Sequence, residues 1–127
     1  MDTKSGDLTT YYKQKYPFTL KQDAHRGDPS LSKRYEAAWE IAKKAAKILK
    51  ENYGARKVMV FGSLIDHSSF TYWSDIDLAA WDIPDEMFFA AVGAVTGLTT
   101  EFKIDLVDVS GCRSSLRNVI EIEGLEV

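Results

Sequence analysis

Two aspartates, Asp75 and Asp77, stand two positions apart in the segment Ser74-Asp75-Ile76-Asp77-Leu78-Ala79-Ala80. The segment reads as a strand, where residues i and i+2 share one face with Cα atoms about 6.5–7 Å apart and Ile76 and Leu78 occupy the other. Like charges at that spacing repel unless a cation, a basic group or water screens them. Their apolar neighbours make a solvent-facing strand, or an N-cap at Ser74-Asp75, the weaker reading. A third acid, Asp105, lies in Lys103-Ile104-Asp105-Leu106-Val107, another apolar strand. If the two strands pair, three carboxylates converge, and oxygen-only ligands suit Mg²⁺ or Mn²⁺ rather than zinc. Asp108 competes for the third place. It projects to the opposite side from Asp105 and stands at the strand end, where a turn or cap role is ordinary.

Gly62-Ser63 closes a third apolar run, Lys57-Val58-Met59-Val60-Phe61. Glycine at a strand end permits close backbone approach, the amides that follow can cradle phosphate oxygens, and the serine hydroxyl can donate to the same oxygens. A Gly-Ser pair alone is more often a plain turn; its place after a buried strand and ahead of an acid pair gives it weight. The Gly-x-x-x-x-Gly-Lys-Ser/Thr spacing is absent. The combination suggests a triphosphate held between backbone donors and two divalent ions about 3.5–4 Å apart. Asp75 and Asp77 would serve both ions, and Asp105 the ion that activates an attacking hydroxyl. In-line attack at the α-phosphorus would then release pyrophosphate. Tyr72 and Trp73, just before the acids, either stack on a base or pack the loop. His67 is more ordinary as an incidental loop histidine than as a phosphate contact. Neither Cys112 nor Ser63 has a histidine and acid spaced to make it a nucleophile.

The elements that must position these residues follow from periodicity. Leu31, Tyr35, Ala38, Ala42, Ala45, Leu49 and Tyr53 recur at helical steps, with Asp28-Pro29 as cap and first-turn proline and Gly54 as terminator. Strands are expected over residues 57–61, 74–80 and 102–109, with a short helical turn or loop over 64–72. A second helix opens at Pro84 with Asp85 and Glu86 in its first turn, buries Phe88, Ala91, Val95 and Leu98, and exits at Gly97. A last helix over about 113–123 faces Leu116, Val119 and Ile120 inward. The order predicts an α/β (α+β) fold, a small mixed β-sheet covered by helices, over residues 30–127. Residues 1–29 read as an N-terminal arm with scattered Tyr11, Tyr12, Tyr16 and Phe18.

The chain has 127 residues, a formal net charge of −3 and one cysteine, Cys112. That length suits one domain with one core. The charge argues against broad nucleic-acid binding, which rests on many Lys and Arg contacts to phosphates. Lys43, Lys44, Lys47 and Lys50 cluster, but as the solvated face of the first helix. A lone cysteine, no apolar leader and no run of 18 apolar residues point to a reducing compartment, the cytoplasm, and to no membrane span.

Val58-Met59-Val60-Phe61-Gly62-Ser63, Ser74-Asp75-Ile76-Asp77-Leu78 and Ile104-Asp105-Leu106-Val107 together resemble a minimal nucleotidyltransferase. This is the small single-domain branch of the DNA polymerase β-type superfamily, including its MntA-like antitoxins. The resemblance spans about residues 31–127 and implies a nucleotidyltransferase fold with ATP and Mg²⁺ (or Mn²⁺). It implies Gly62 and Ser63 on the triphosphate, Asp75 and Asp77 as paired metal ligands and Asp105 as the third. It further implies an all-helical HEPN-domain toxin as partner, silenced by transfer of AMP to a tyrosine. Two other readings keep the fold: a catalytically silent antitoxin or binding module, and transfer to a small hydroxylated compound. The chain departs from the family pattern at Leu64-Ile65-Asp66-His67, where a basic residue and a second glycine are frequent. Asp66 would repel a triphosphate if it faced the pocket. The stretch from Ser63 to Asp75 is also slightly long for the tight motif.

Overall fold

The computed structural model describes residues 28–127. The arm expected before the domain therefore lies, up to residue 27, outside the described residues. Helix α1 spans Pro29–Asn52, started by Asp28, whose side chain accepts from the Leu31 amide at 3.1 Å, with proline in the first turn. Leu31, Ala38, Ala42, Ala45, Ala46 and Leu49 are its buried stripe. Its four alanines let the helix axis sit close to the sheet. Past the helix, Gly54 takes a φ of +79°, and the Ala55 amide returns to the Leu49 carbonyl at 3.1 Å. The left-handed residue turns the chain at once into β1, Lys57–Phe61.

Two short 3₁₀ turns follow, Gly62–Ile65 and His67–Ser69, then β2, Ile76–Trp81. Helix α2 spans Asp85–Thr96, β3 Ile104–Asp108, α3 Ser114–Glu123 and β4 Leu125–Glu126. The sheet order is β3-β2-β1-β4. Strand β2 is antiparallel to β1, with Phe61 opposite Asp77, and parallel to β3, with Asp77 level with Asp105. Strand β4 is antiparallel to β1, Leu125 against Val60. This is the mixed, helix-covered α+β sheet that the element order predicts.

Alternation divides the strands between two cores. Val58, Val60, Ile76, Leu78, Ala80 and Ile104 join α1 and α2 in the larger one. Met59, Ala79, Trp81 and Val109 pack with Ile120, against which Leu116 leans, in the smaller one under α3. Val119, expected to face inward, is instead 44% exposed. Leu116 and Ile120 stack at i and i+4, which leaves Val119 about 100° around the helix from Ile120. The expected strand over 74–80 begins later, at Ile76. Thr71–Ser74 form a closed turn in which the Thr71 amide donates to Ser74 Oγ at 2.8 Å and the Ser74 amide to the Thr71 carbonyl at 3.1 Å. The strand over 102–109 shortens to Ile104–Asp108. Asp108 leaves the sheet by accepting from the amide and hydroxyl of Ser110, the turn role weighed for it above. Among the described residues no helix is long and apolar enough to cross a membrane.

Leu49 is fully buried between α1 and the sheet. Leu49→Ala should therefore lower unfolding stability by about 2–5 kcal/mol, read from urea denaturation midpoints with an unchanged slope.

Candidate functional site

The face of the sheet that carries the acids follows from the side-chain period of two. Asp77 shares the face of Ala79 and Trp81, the α3 side, and is the one residue of β2 that is not buried. Parallel register sets Asp105 on the adjacent strand at the same level, and neighbouring strands lie about 4.8 Å apart. Asp75 precedes β2 at the exit of the Thr71–Ser74 turn. Its charge reaches Asp77, as does that of Asp105.

The electrostatics are those of crowded, partly buried acids. Burial, then the like charges of Asp105 and Asp75 and a shared hydrogen bond with Asp105, push the Asp77 carboxyl up to about 6; Lys103 opposes this. Lys103 Nζ lies 3.7 Å from Asp105 Oδ1, both side chains being largely exposed. A pair so solvated contributes little. Among the described residues no three His, Cys, Asp or Glu side chains form a ready-made metal cage. The expected convergence thus takes a specific form: Asp77 and Asp105 adjoin, and Asp75 stands within charge range.

Gly62 meets this pair directly. Its φ is +77°, and a Cβ placed on it would collide with the Asp77 carboxylate, Oδ2 first. Only glycine satisfies both the left-handed backbone and the close approach. The backbone of Gly62-Ser63 is thereby laid against the acid pair, as β1–β2 pairing of Phe61 with Asp77 requires. The segment that follows is anchored below by Leu64 and Phe70, both buried.

Asp66 does not present a free carboxylate to this region. Its Oδ1 accepts from the amide and hydroxyl of Ser68 at 3.1 and 2.8 Å, and Oδ2 from the Ser69 hydroxyl at 2.9 Å. The repulsion feared from the sequence is spent on capping the second 3₁₀ turn. His67 lies edge-on to Tyr35 with ring centroids 4.4 Å apart. The Tyr72 hydroxyl donates to Asp28 Oδ2 at 2.6 Å, a bond that raises its pKa. Trp73 is 87% exposed, so packing of the loop is not its occupation. Cys112 donates to the Val109 carbonyl at 3.4 Å and packs on the smaller core.

Sequence reasoning passed over Tyr35 as a site-side residue, counting it only as one more member of the apolar stripe; its hydroxyl reaches the Leu64 carbonyl at 3.1 Å. The lysine cluster was read as a solvated face. Lys43, Lys47 and Lys50 are exposed, and with Glu51, Glu126 and Val127 they border an open groove of about 400 Å³ at the β4 edge, away from the acids.

No protein-family model matches the chain, and no curated protein is recognisably similar to it in sequence. Solved structures resemble it in fold. The crystal structure of the toxin–antitoxin MntA–HepT contains a chain with TM-score 0.52 and 18% identity, matched over 69% of each chain. Variants of that complex give TM-score 0.55 at 18% identity over 67% of this chain and 70% of the other, and 0.54 at 21% over 67% and 69%. The first variant carries two aspartate-to-glutamate changes two positions apart, the second a tyrosine-to-alanine change. The likeness shows a common fold, the nucleotidyltransferase-like α+β sheet.

The raised Asp77 pKa makes a prediction with a definite sign. A carboxyl whose folded pKa lies above its unfolded value of 3.8 stabilises fully below that value, and the stability is lost as pH rises through about 6. In chelator-treated protein, Asp77→Asn should raise stability by about 1–2 kcal/mol above pH 6, allowing for solvent screening. The gain should vanish by about pH 4, seen in thermal melts across that range. Gly62→Ala should do the reverse at every pH, lowering the melting temperature through strained backbone and the collision with Asp77.

Proposed function

We propose that this chain is a metal-dependent nucleotidyltransferase that moves AMP from ATP onto a hydroxyl of a partner protein, and that it serves as the antitoxin of an all-helical HEPN-type toxin. The observation that carries the reading is the contact of Gly62 with Asp77, in register with Asp105. It sets a backbone suited to phosphate beside oxygen ligands suited to a hard cation. The fold shared with MntA–HepT toxin–antitoxin structures supports the choice of partner. So does the spacing of Asp75 and Asp77, which equals that of the two aspartates altered in one of them.

The donor set fits Mg²⁺ or Mn²⁺: only carboxylate oxygens, one of them held above its ordinary pKa by burial and by the neighbouring acid charges, the second of which a cation relieves. Asp75, Asp77 and Asp105 would hold it, and there it would supply positive charge against the triphosphate and the attacking oxygen. Gly62 and Ser63 bind the β- and γ-phosphates through backbone and hydroxyl donors. Trp73, two residues before Asp75, offers an exposed indole face to the base. The acceptor hydroxyl enters beside Asp105, whose side chain is 45% exposed. Its oxygen bonds the α-phosphorus in line, the bond to the β-phosphate bridge breaks, pyrophosphate leaves, and the proton passes to the Asp105 carboxylate.

A second reading, an antitoxin that acts by binding alone, is favoured by two observations. The family's basic residue is missing after Gly62-Ser63, and among the described residues no three acids form a closed cage. With α-phosphate-labelled ATP, magnesium and the helical partner, transfer should label the partner. Asp75→Asn combined with Asp77→Asn should reduce labelling by at least 100-fold, as expected when electrostatic stabilisation of transferring phosphate is removed. If the double variant suppresses the partner's toxicity as well as the native chain at equal abundance, binding alone is the function.

A further inference from the structure

The β1–β2 connection, residues 62–75, rests near its start on one side chain of α1. The Tyr35 hydroxyl donates to the Leu64 carbonyl at 3.1 Å. Its ring meets His67 edge-on at 4.4 Å and Phe70 at 5.2 Å between centroids. One residue thus touches both 3₁₀ turns and the point where the second one ends. Leu64 follows Gly62-Ser63 directly, and Gly62 is pressed against Asp77. The peptide group is planar and trans, so its carbonyl and the next amide point opposite ways. Drawing the Leu64 carbonyl toward α1 turns the Ile65 amide away from it and fixes the twist of the peptides behind it.

We infer that Tyr35 is a positioning residue for triphosphate binding, acting through its hydroxyl on the Gly62–Leu64 backbone and not through the acid pair. The inference rests on the nucleotidyl-transfer reading and adds to it a residue outside the sequence motif. Two roles are separable within the one side chain. The ring packs on His67 and Phe70 and supports the fold; the hydroxyl orients a backbone. Phenylalanine keeps the first and removes the second. Without the hydroxyl the Leu64 carbonyl loses its donor in a partly buried place, and the orientation of the first 3₁₀ turn is left to its own bond, from the Asp66 amide to the Ser63 carbonyl at 3.3 Å.

The test uses the full chain, with Mn²⁺ alone and with magnesium tripolyphosphate as probes in calorimetry. Tyr35→Phe should bind Mn²⁺ as the native chain does and tripolyphosphate about fivefold more weakly, the factor one ordinary hydrogen bond commands. In the transfer assay KM for ATP should rise by a similar factor with kcat little changed. The melting temperature should fall by only a few degrees. A variant that binds tripolyphosphate as tightly as the native chain, or that loses Mn²⁺ and tripolyphosphate by the same factor, overturns the inference. A native chain that binds neither probe overturns the nucleotidyl-transfer reading itself, a different result from an unchanged variant. Should Tyr35→Phe unfold, Tyr35→Met, which keeps an apolar side chain and has no donor, takes its place: weakened tripolyphosphate binding in a folded protein with intact Mn²⁺ affinity supports the orienting role, and native-like tripolyphosphate binding opposes it.

Discussion

Backbone hydrogen bonding between β2 and β3 holds Asp77 and Asp105 side by side, and their backbone positions cannot separate without breaking the sheet. Most of what is distinctive in the structure follows from that separation. Strand pairing on the other flank brings Phe61 opposite Asp77, so the residue after Phe61 must pass the same carboxylate, and it must be glycine. The crowded acid is tolerated because the other residues of β2 are buried and belong to two cores, one on each face. Apolar burial there, about 1.5–3 kcal/mol for each large side chain, offsets the electrostatic cost.

Helix α1 frames the β1–β2 connection at both ends. Near its first turn Asp28 divides its two oxygens between the helix amide of Leu31 and the hydroxyl of Tyr72. Two turns on, Tyr35 takes the Leu64 carbonyl. The stretch between is stiffened from within by Asp66 with Ser68 and Ser69, and by Thr71 with Ser74. The loop that looks too long and too polar for its family pattern is thus densely self-bonded, and the acid that seemed misplaced in it holds its second turn together.

The acids and the glycine were legible in the sequence because each obeys a short-range rule. Period two places Asp77 opposite its apolar neighbours Ile76 and Leu78, although Asp75 lies before the strand begins, and a glycine at a strand end signals a special backbone. Helix α1 was legible for the same reason, its stripe running unbroken from Leu31 to Tyr53. What escaped depends on distant partners. Strand β4 is two residues long and exists only because Leu125 and Glu126 meet β1. Val119 cannot be told from Ile120 by composition; which of them faces inward depends on where the sheet lies. The start of β2 was misplaced because Ser74 has good strand neighbours, while its hydroxyl is committed to a turn. Tyr35 belongs to the apolar stripe by its spacing, but its hydroxyl bond to a residue far along the chain has no local signature.

The mixed direction of the sheet also sets an order of assembly. Strands β1 and β2 are antiparallel and joined by a connection that folds upon itself, whereas β3 reaches β2 only after the α2 crossover. Closing the longer loop costs more chain entropy, and such non-local pairings form late. A folding chain can therefore settle Gly62 against Asp77 before β3 brings Asp105 to the sheet. The charge repulsion built into the finished site then falls on the joining of β3, after a core exists to bear it.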